Sequence, residues 1–224
     1  EAEGQILYDF TSSSDLVVSE SIPIWLNADD VPFGKSGWRF NGETTSVTTQ
    51  SVISTFDLRE DESITISSWI KPYSFASDRA IIMRQDGILV NYALYSNTAG
   101  GLTFNTGFAT VSSAVDVLSL NQWNKIDVAI NMSDGSVTFY VNGSPVGSSV
   151  LGSLDLSIGD MYFDIGYNRG AVANVDSFFG EICEVVLYNS IKDFDYILDQ
   201  HNILKNDNGD RLIVLKFTIP EIYG

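Results

Sequence analysis

Short runs of alternating apolar residues, each closed by glycine, asparagine, aspartate or serine, follow one another from residue 5 to residue 189, where helical periodicity is almost absent. The clearest case is "NQWNKIDVAINMSDGSVTFYVNG", residues 121–143. Ile126, Val128 and Ile130 share one parity and Lys125 and Asp127 the other, and Val137, Phe139 and Val141 resume the pattern after Asp134-Gly135. This predicts two half-buried strands in a hairpin, with a second turn at Asn142-Gly143. Further strands are expected at "QILYDF" (5–10), "GWRFNG" (37–42), "SVTTQSVI" (46–53), "SITISSWIKP" (63–72), "AIIMRQ" (80–85), "NYALYS" (91–96), "GLTFNT" (101–106), "SPVGSSV" (144–150), "MYFDIGYN" (161–168) and "FFGEICEVVLYN" (178–189). One sheet that wide would leave an apolar face in water, so the pattern predicts an all-β fold of two packed sheets.

A single helix is expected near the C-terminus, with Ser190 as its cap, Asp193 in its first turn, and Phe194, Ile197, Leu198 and His201 on one stripe. "NDNGD" (206–210) ends it, and "RLIVLKFTIP" (211–220) reads as a last strand limited by Pro220. At 224 residues, 44% of them hydrophobic, the chain is long enough for one domain over residues 1–224 that buries roughly 70% of its unfolded surface. The lone Cys183 lies in an apolar run and reads as a small buried hydrophobe. The chain opens on "EAEGQ" without Met, which is consistent with removal of a signal peptide, tag or upstream domain.

Twelve Lys and Arg stand against 29 Asp and Glu, for a formal net charge of −17, and no basic cluster interrupts that field. Partnership with nucleic acid or an anionic membrane is therefore disfavoured. No apolar run approaches the roughly 18 residues of a membrane span, so no membrane insertion is expected.

Four stretches occur in a telling order. "GKSGWRFNGE" (34–43) is a glycine-bounded strand, "ITISSWIKP" (64–72) a tryptophan strand, "LNQWNKIDVAINMSDGSVTFYVNG" (120–143) a tryptophan-led hairpin, and "FFGEICEVVLYNS" (178–190) a strand ending in Tyr188-Asn189 before a short helix. Together they resemble the laminin-G-like, concanavalin A-like lectin/glucanase domain over residues 5–204. The resemblance implies a two-sheet antiparallel jelly-roll β-sandwich with one short C-terminal helix, of the kind found in surface proteins, secreted enzymes and phage structural proteins. It also implies core positions for Trp69 and Trp123. Cys183 departs from the family, which often has an acidic residue there. Residues 205–224 extend beyond its usual terminal helix, as a strand that completes a sheet edge or meets a neighbouring subunit.

No catalytic set stands out. A retaining glycosidase needs two carboxylates about 5 Å apart, and the Glu-x-Asp-x-(x)-Glu strand of related β-glucanases is missing. Asp160 and Asp164 share a side, but four strand residues span roughly 13 Å. His201 is the only histidine, so neither a triad nor a histidine metal cluster is expected around it.

Recognition is the expected role. The stretches "FASDRAIIMRQDG" (75–87), "NYALYSNTAGG" (91–101) and "GYNRGAVANVDSFF" (166–179) supply Asp78, Arg79, Arg84, Tyr92, Tyr95, Tyr167, Asn168, Arg169 and Asn174 as candidate ligand-binding residues. Flat rings suit the C–H faces of sugars, and planar polar groups pair with hydroxyls. "RGAVANVDS" is the strongest pointer, as a long connection between strands. The resemblance also implies that a Ca²⁺ is feasible at a rim, with Asp78, Asp164, Asn168 and Asp176 as candidate donors and no cofactor required. The expectation is thus a non-catalytic module that binds a surface glycan, located extracellularly or on a cell or virion surface. The alternatives are a structural protein that assembles through protein contacts and its C-terminal extension, and a divergent glycosidase or polysaccharide lyase.

Overall fold

The computed structural model describes residues 6–7, 16–18, 23–27, 29–32, 37–49, 52, 57–59, 62–170, 172–202 and 211–215. In chain order the strands are β1 (Ile6–Leu7), β2 (Leu16–Val18), β3 (Ile24–Leu26), β4 (Gly37–Asn41), β5 (Val47–Thr49), β6 (Ser63–Pro72), β7 (Asp78–Asp86), β8 (Leu89–Ser96) and β9 (Leu102–Asn105). They continue as β10 (Thr110–Ser112), β11 (Asn124–Asn131), β12 (Ser136–Val141), β13 (Ser144–Val150), β14 (Tyr162–Ile165), β15 (Val175–Ser177) and β16 (Phe179–Tyr188). Helix α1 (Phe194–Asn202) and β17 (Arg211–Leu215) follow.

The strands form a jelly-roll sandwich. Sheet A runs β1-β2-β5-β14-β7-β8-β9-β10 with β15 beside β7, and sheet B runs β13-β12-β11-β6-β16-β4-β3 with β17 beside β16. The chain crosses repeatedly between sheets, and its ladders are antiparallel except that β15 lies parallel to β7. The expected hairpin is present, pairing Ile126 with Val141 through to Asn131 with Ser136. Asn142 and Gly143 both take positive φ, 51° and 76°, as a two-residue type I′ turn requires. Between the sheets, Ile66, Ile70, Ile126, Val128, Ile130 and Phe139 meet Tyr92, Leu94, Phe104, Phe163 and Ile165, with Trp38 and Phe40 in the same core. Among the described residues no helix is long and apolar enough to cross a membrane.

Several sequence expectations need correction. β11 is buried on both faces, because α1 lies across the outer face of sheet B: Ile197 packs on Ala129 and Tyr140, with Tyr196 against them. Lys125 and Asp127, expected on a solvated face, are only 4% and 3% exposed. They pair with each other at 2.7 Å, and Lys125 also donates to Ser67. Trp69 does hold the core position expected of it, buried and stacked on His201 of the helix. Trp123 is only half-buried, its Nε1 donating to Asp30 O at 3.3 Å. Asp193, not Ser190, caps α1, its Oδ1 accepting from Tyr196 N at 2.8 Å. Ser190 O instead accepts from Thr65 Oγ1.

Of the three-residue strands, β5 falls within the expected 46–53 run, whereas β2, β3, β10 and β15 fall outside every expected run and are too short to show a period. Within the C-terminal extension, β17 pairs antiparallel with β16 over Val185–Tyr188, beyond the stretch that β4 pairs. Residues 206–210 and 216–220 lie outside the described residues.

Candidate functional site

Phe163 and Ile165 of β14 enter the core, so Tyr162 and Asp164 face outward from sheet A. The chain then turns at Gly166, where φ is +71° and an added Cβ would stand 2.4 Å from the Phe40 ring. A glycine is the residue that fits both constraints. The turn folds Tyr167, Asn168 and Arg169 back over the sheet. Arg169 grips Asp164 with two bonds, Nε to Oδ2 at 2.8 Å and Nη2 to Oδ1 at 3.0 Å, and Nη2 also donates to Thr48 Oγ1 at 2.7 Å. Its guanidinium stands 3.9 Å from the Tyr162 ring centroid and 5.8 Å from that of Tyr167.

Asp164 is fully buried while Arg169 keeps 28% of its side chain exposed. Burial pushes the Asp164 carboxyl up, and the bonds from Arg169, Thr48 and Gln85 oppose that shift. Gln85 Nε2 donates both to Asp164 and to Tyr167 O, tying the loop to β7. Asn168 shapes the rest of the loop: its Nδ2 donates to Val172 O and Val175 O, and its Oδ1 accepts from Gly170 N. Asn174 is exposed at φ +63°. The described residues of "RGAVANVDS", all but Ala171, are therefore pinned to the sheet and end in a strand.

A second group gathers where β15 meets the start of β7. Asp176 lies opposite Arg79, whose Nη1 donates to Ser177 O at 3.1 Å and Gly42 O at 3.3 Å. Asp78 Oδ1 accepts from Thr98 N at 2.8 Å. Burial, with Asp78 nearby, pushes the Tyr95 phenol up to about 12.

Two expected ligand-binding residues are corrected by their burial. Arg84 and Tyr92 are fully buried and present nothing to a ligand. Arg84 donates to Asp57 Oδ1 from Nε and Nη2, at 3.1 and 2.6 Å, and to the Met161 and Gly159 carbonyls.

The candidate calcium donors do not converge either. Asp164 is held by a guanidinium, the Asp78 and Asn168 oxygens accept backbone N–H groups, and Asp176 is exposed beside Arg79. Among the described residues no group of three or more His, Cys, Asp or Glu is placed to hold a metal ion. This donor set does not fit Ca²⁺.

The sequence reading missed one constellation. On sheet B, Arg39 Nε and Nη2 donate to Glu181 Oε1 at 2.9 and 2.7 Å, Tyr73 OH donates to the same oxygen, and Lys71 Nζ stands 3.1 Å from Oε2. Its only sequence signal was Lys71 sharing the parity of Trp69.

Among curated proteins, none matches the chain by sequence. Solved structures do. A Bacteroides ovatus ATCC 8483 protein assigned to carbohydrate binding aligns at 20% identity with a TM-score of 0.53, over 70% of this chain and 45% of that one. A Trypanosoma rangeli sialidase in complex with 2,3-difluorosialic acid aligns at 18% identity with a TM-score of 0.61, over 92% of this chain and 32% of that one. The botulinum neurotoxin serotype G binding domain aligns at 14% identity with a TM-score of 0.56, over 85% and 48%. The chain thus spans less than half the length of each of these three proteins, and at such identities the likeness is one of fold. Residues 20–193 match the laminin G-type family model of the concanavalin A-like lectin/glucanases superfamily, and the chain belongs to that superfamily.

Proposed function

We propose that the chain is a non-catalytic recognition module for a surface glycan, carried by a secreted, cell-surface or virion protein. The observation that carries this reading is Arg169 stacked on Tyr162 beside Tyr167, with Asp164 holding its orientation. A planar donor group fixed against aromatic faces at the surface matches a sugar ring's apolar C–H face and its hydroxyl rim. Arg169 Nε and Nη2 are committed to the protein, which leaves Nη1 for a ligand oxygen. The carbohydrate-binding assignment of the Bacteroides ovatus neighbour supports the reading. In-chain pairing of β17 with β16 favours a structural role for the extension over assembly with other subunits.

Glycan-array screening followed by calorimetry on the full chain tests this. The reading expects saccharide binding that weakens about tenfold or more in Tyr167→Ala and in Arg169→Lys, which keeps charge but loses the fork. If no saccharide binds at millimolar concentration, the reading is wrong.

A further inference from the structure

The outer face of sheet B is divided. One half lies under α1, where Trp69 meets His201 and Tyr140 meets Ile197. The other half carries the Arg39, Glu181 and Lys71 group, which the strand register places in one row. Ile24 is opposite Arg39, Arg39 opposite Glu181, Glu181 opposite Lys71, and Trp123 immediately precedes Asn124, which pairs with Ile70. At about 4.8 Å between neighbouring strands, the row spans roughly 19 Å.

Its charge and its surface are both unusual for this protein. The chain carries −17 overall, yet two cations converge here on one carboxylate that is 1% exposed, so these three side chains together carry one positive charge. Glu181 is engaged by Arg39, Tyr73 and Lys71, Oε1 accepting from Arg39 and Tyr73 and Oε2 facing Lys71 across an ion pair. Arg39, whose side chain is 42% exposed, retains both Nη1 donors, and Lys71 retains two of its three. The row therefore presents donors without matching acceptors.

Apolar faces frame those donors. Lys71 Nζ lies 5.9 Å from the ring centroids of both Tyr73 and Trp123, Phe179 meets Tyr73 edge-on at 5.5 Å, and Ile24 is 60% exposed at the far end. Such a frame suits an acceptor-rich anion carried on a ring with apolar faces.

The geometry points to a second binding site on this half of sheet B, made by Arg39, Lys71, Tyr73 and Trp123, that takes a carboxylate-bearing saccharide of the uronate class. Arg39 and Lys71 receive the carboxylate, Trp123 and Tyr73 receive the pyranose faces, and Glu181 holds the two cations in register. This rests on the reading of the chain as a glycan-recognition module and names a ligand class for a surface distinct from the Arg169 loop.

Calorimetric titration of the full chain with trigalacturonate and with its methyl ester tests it. The acid is expected to bind at least about tenfold more tightly than the ester, with affinity falling as salt is added. Arg39→Gln and Lys71→Met each bring the acid toward the ester's affinity, and Lys71→Arg retains most of it. Lys192→Met, which removes a cation from the helix side of the same face, leaves binding unchanged. The acid-ester comparison uses the unaltered chain and does not depend on any variant folding.

Equal affinity for acid and ester, or acid binding that survives both Arg39→Gln and Lys71→Met, overturns the site. So does an oligoglutamate peptide that competes as well as the trisaccharide. If acid and ester bind alike and Tyr167→Ala abolishes both, this inference fails while glycan recognition stands. Absence of binding by any saccharide sinks both.

Discussion

Trp69 of β6 and His201 of α1 stack with their ring centroids 5.8 Å apart and 30° between planes. The contact marks the boundary between the two halves of sheet B's outer face. Toward α1, sheet B is buried on both sides and behaves as a second core. Away from it, the same strands present Arg39, Lys71, Tyr73 and Phe179 to solvent. The C-terminal helix thus decides how much of sheet B remains available for recognition.

Trp69→Ala is expected to cost about 3–5 kcal/mol, as for other buried aromatics. The loss falls first on α1, which loses the ring that His201 rests on. Hydrogen exchange at residues 194–202 should rise sharply, while the β7–β8 ladder keeps its protection. Uniform loss of protection across both regions would show that Trp69 supports the whole sandwich equally.

Arg84 and Asp57 form an ion pair with side chains 0% and 2% exposed. Arg84→Met leaves Asp57 buried without its partner and is expected to cost about 3–5 kcal/mol. Replacing both, as Asp57→Leu with Arg84→Met, should recover a large part of that loss, because no isolated charge remains. Denaturant titration of the two variants decides it. A double variant no more stable than Arg84→Met would mean that the Met161 and Gly159 carbonyls, rather than the carboxylate, dominate the cost.

The hairpin of β11 and β12 was legible because alternation, Asp134-Gly135 and Asn142-Gly143 all pointed to one local answer. What covers a strand is not local. Lys125 and Asp127 alternate as solvated residues would, but Ser67 of β6 meets Lys125 and a helix about 70 residues later in the chain packs on the same strand pair. Arg84 looked exposed for the same reason, its partner lying 27 residues away. Tyr167, Asn168 and Arg169 were found because one loop carries them. Arg39, Lys71 and Glu181 were missed because they come from three strands that only the sheet register aligns.

Gly166→Ala tests the turn that places the Arg169 loop. The substitution meets both the positive φ and the Phe40 ring, so about 2 kcal/mol or more of stability should be lost. Phe40→Ala empties the space but leaves φ unchanged, so in that background Gly166→Ala should cost less than in the unaltered chain, but not nothing. A cost that vanishes in that background would show that the clash alone demands glycine.

The Glu181 cluster predicts two opposite pH dependences from one set of contacts. Burial by itself would raise the Glu181 carboxyl, but the bonds from Tyr73, Arg39 and Lys71 outweigh it and hold it below its ordinary 4.5. A carboxyl lowered by folding adds stability that is complete above about pH 4.5 and is lost as pH falls through the lower folded value. Tyr73 moves the other way. Burial first, then its bond to Glu181, pushes the phenol from 10 up to about 12, so its contribution is complete below pH 10 and is lost as pH rises toward about 12. Glu181→Gln should cost about 2 kcal/mol at neutral pH and flatten the acid limb of a stability-pH profile. Tyr73→Phe should weaken both limbs, because it removes the raised phenol and also the bond that does most to hold Glu181 down, while Tyr95, also raised to about 12, keeps the alkaline limb from vanishing. Denaturant midpoints measured across the pH range separate the limbs. An acid limb equally steep in Glu181→Gln would place acid sensitivity elsewhere and remove this carboxylate from the group that holds Arg39 and Lys71 in place.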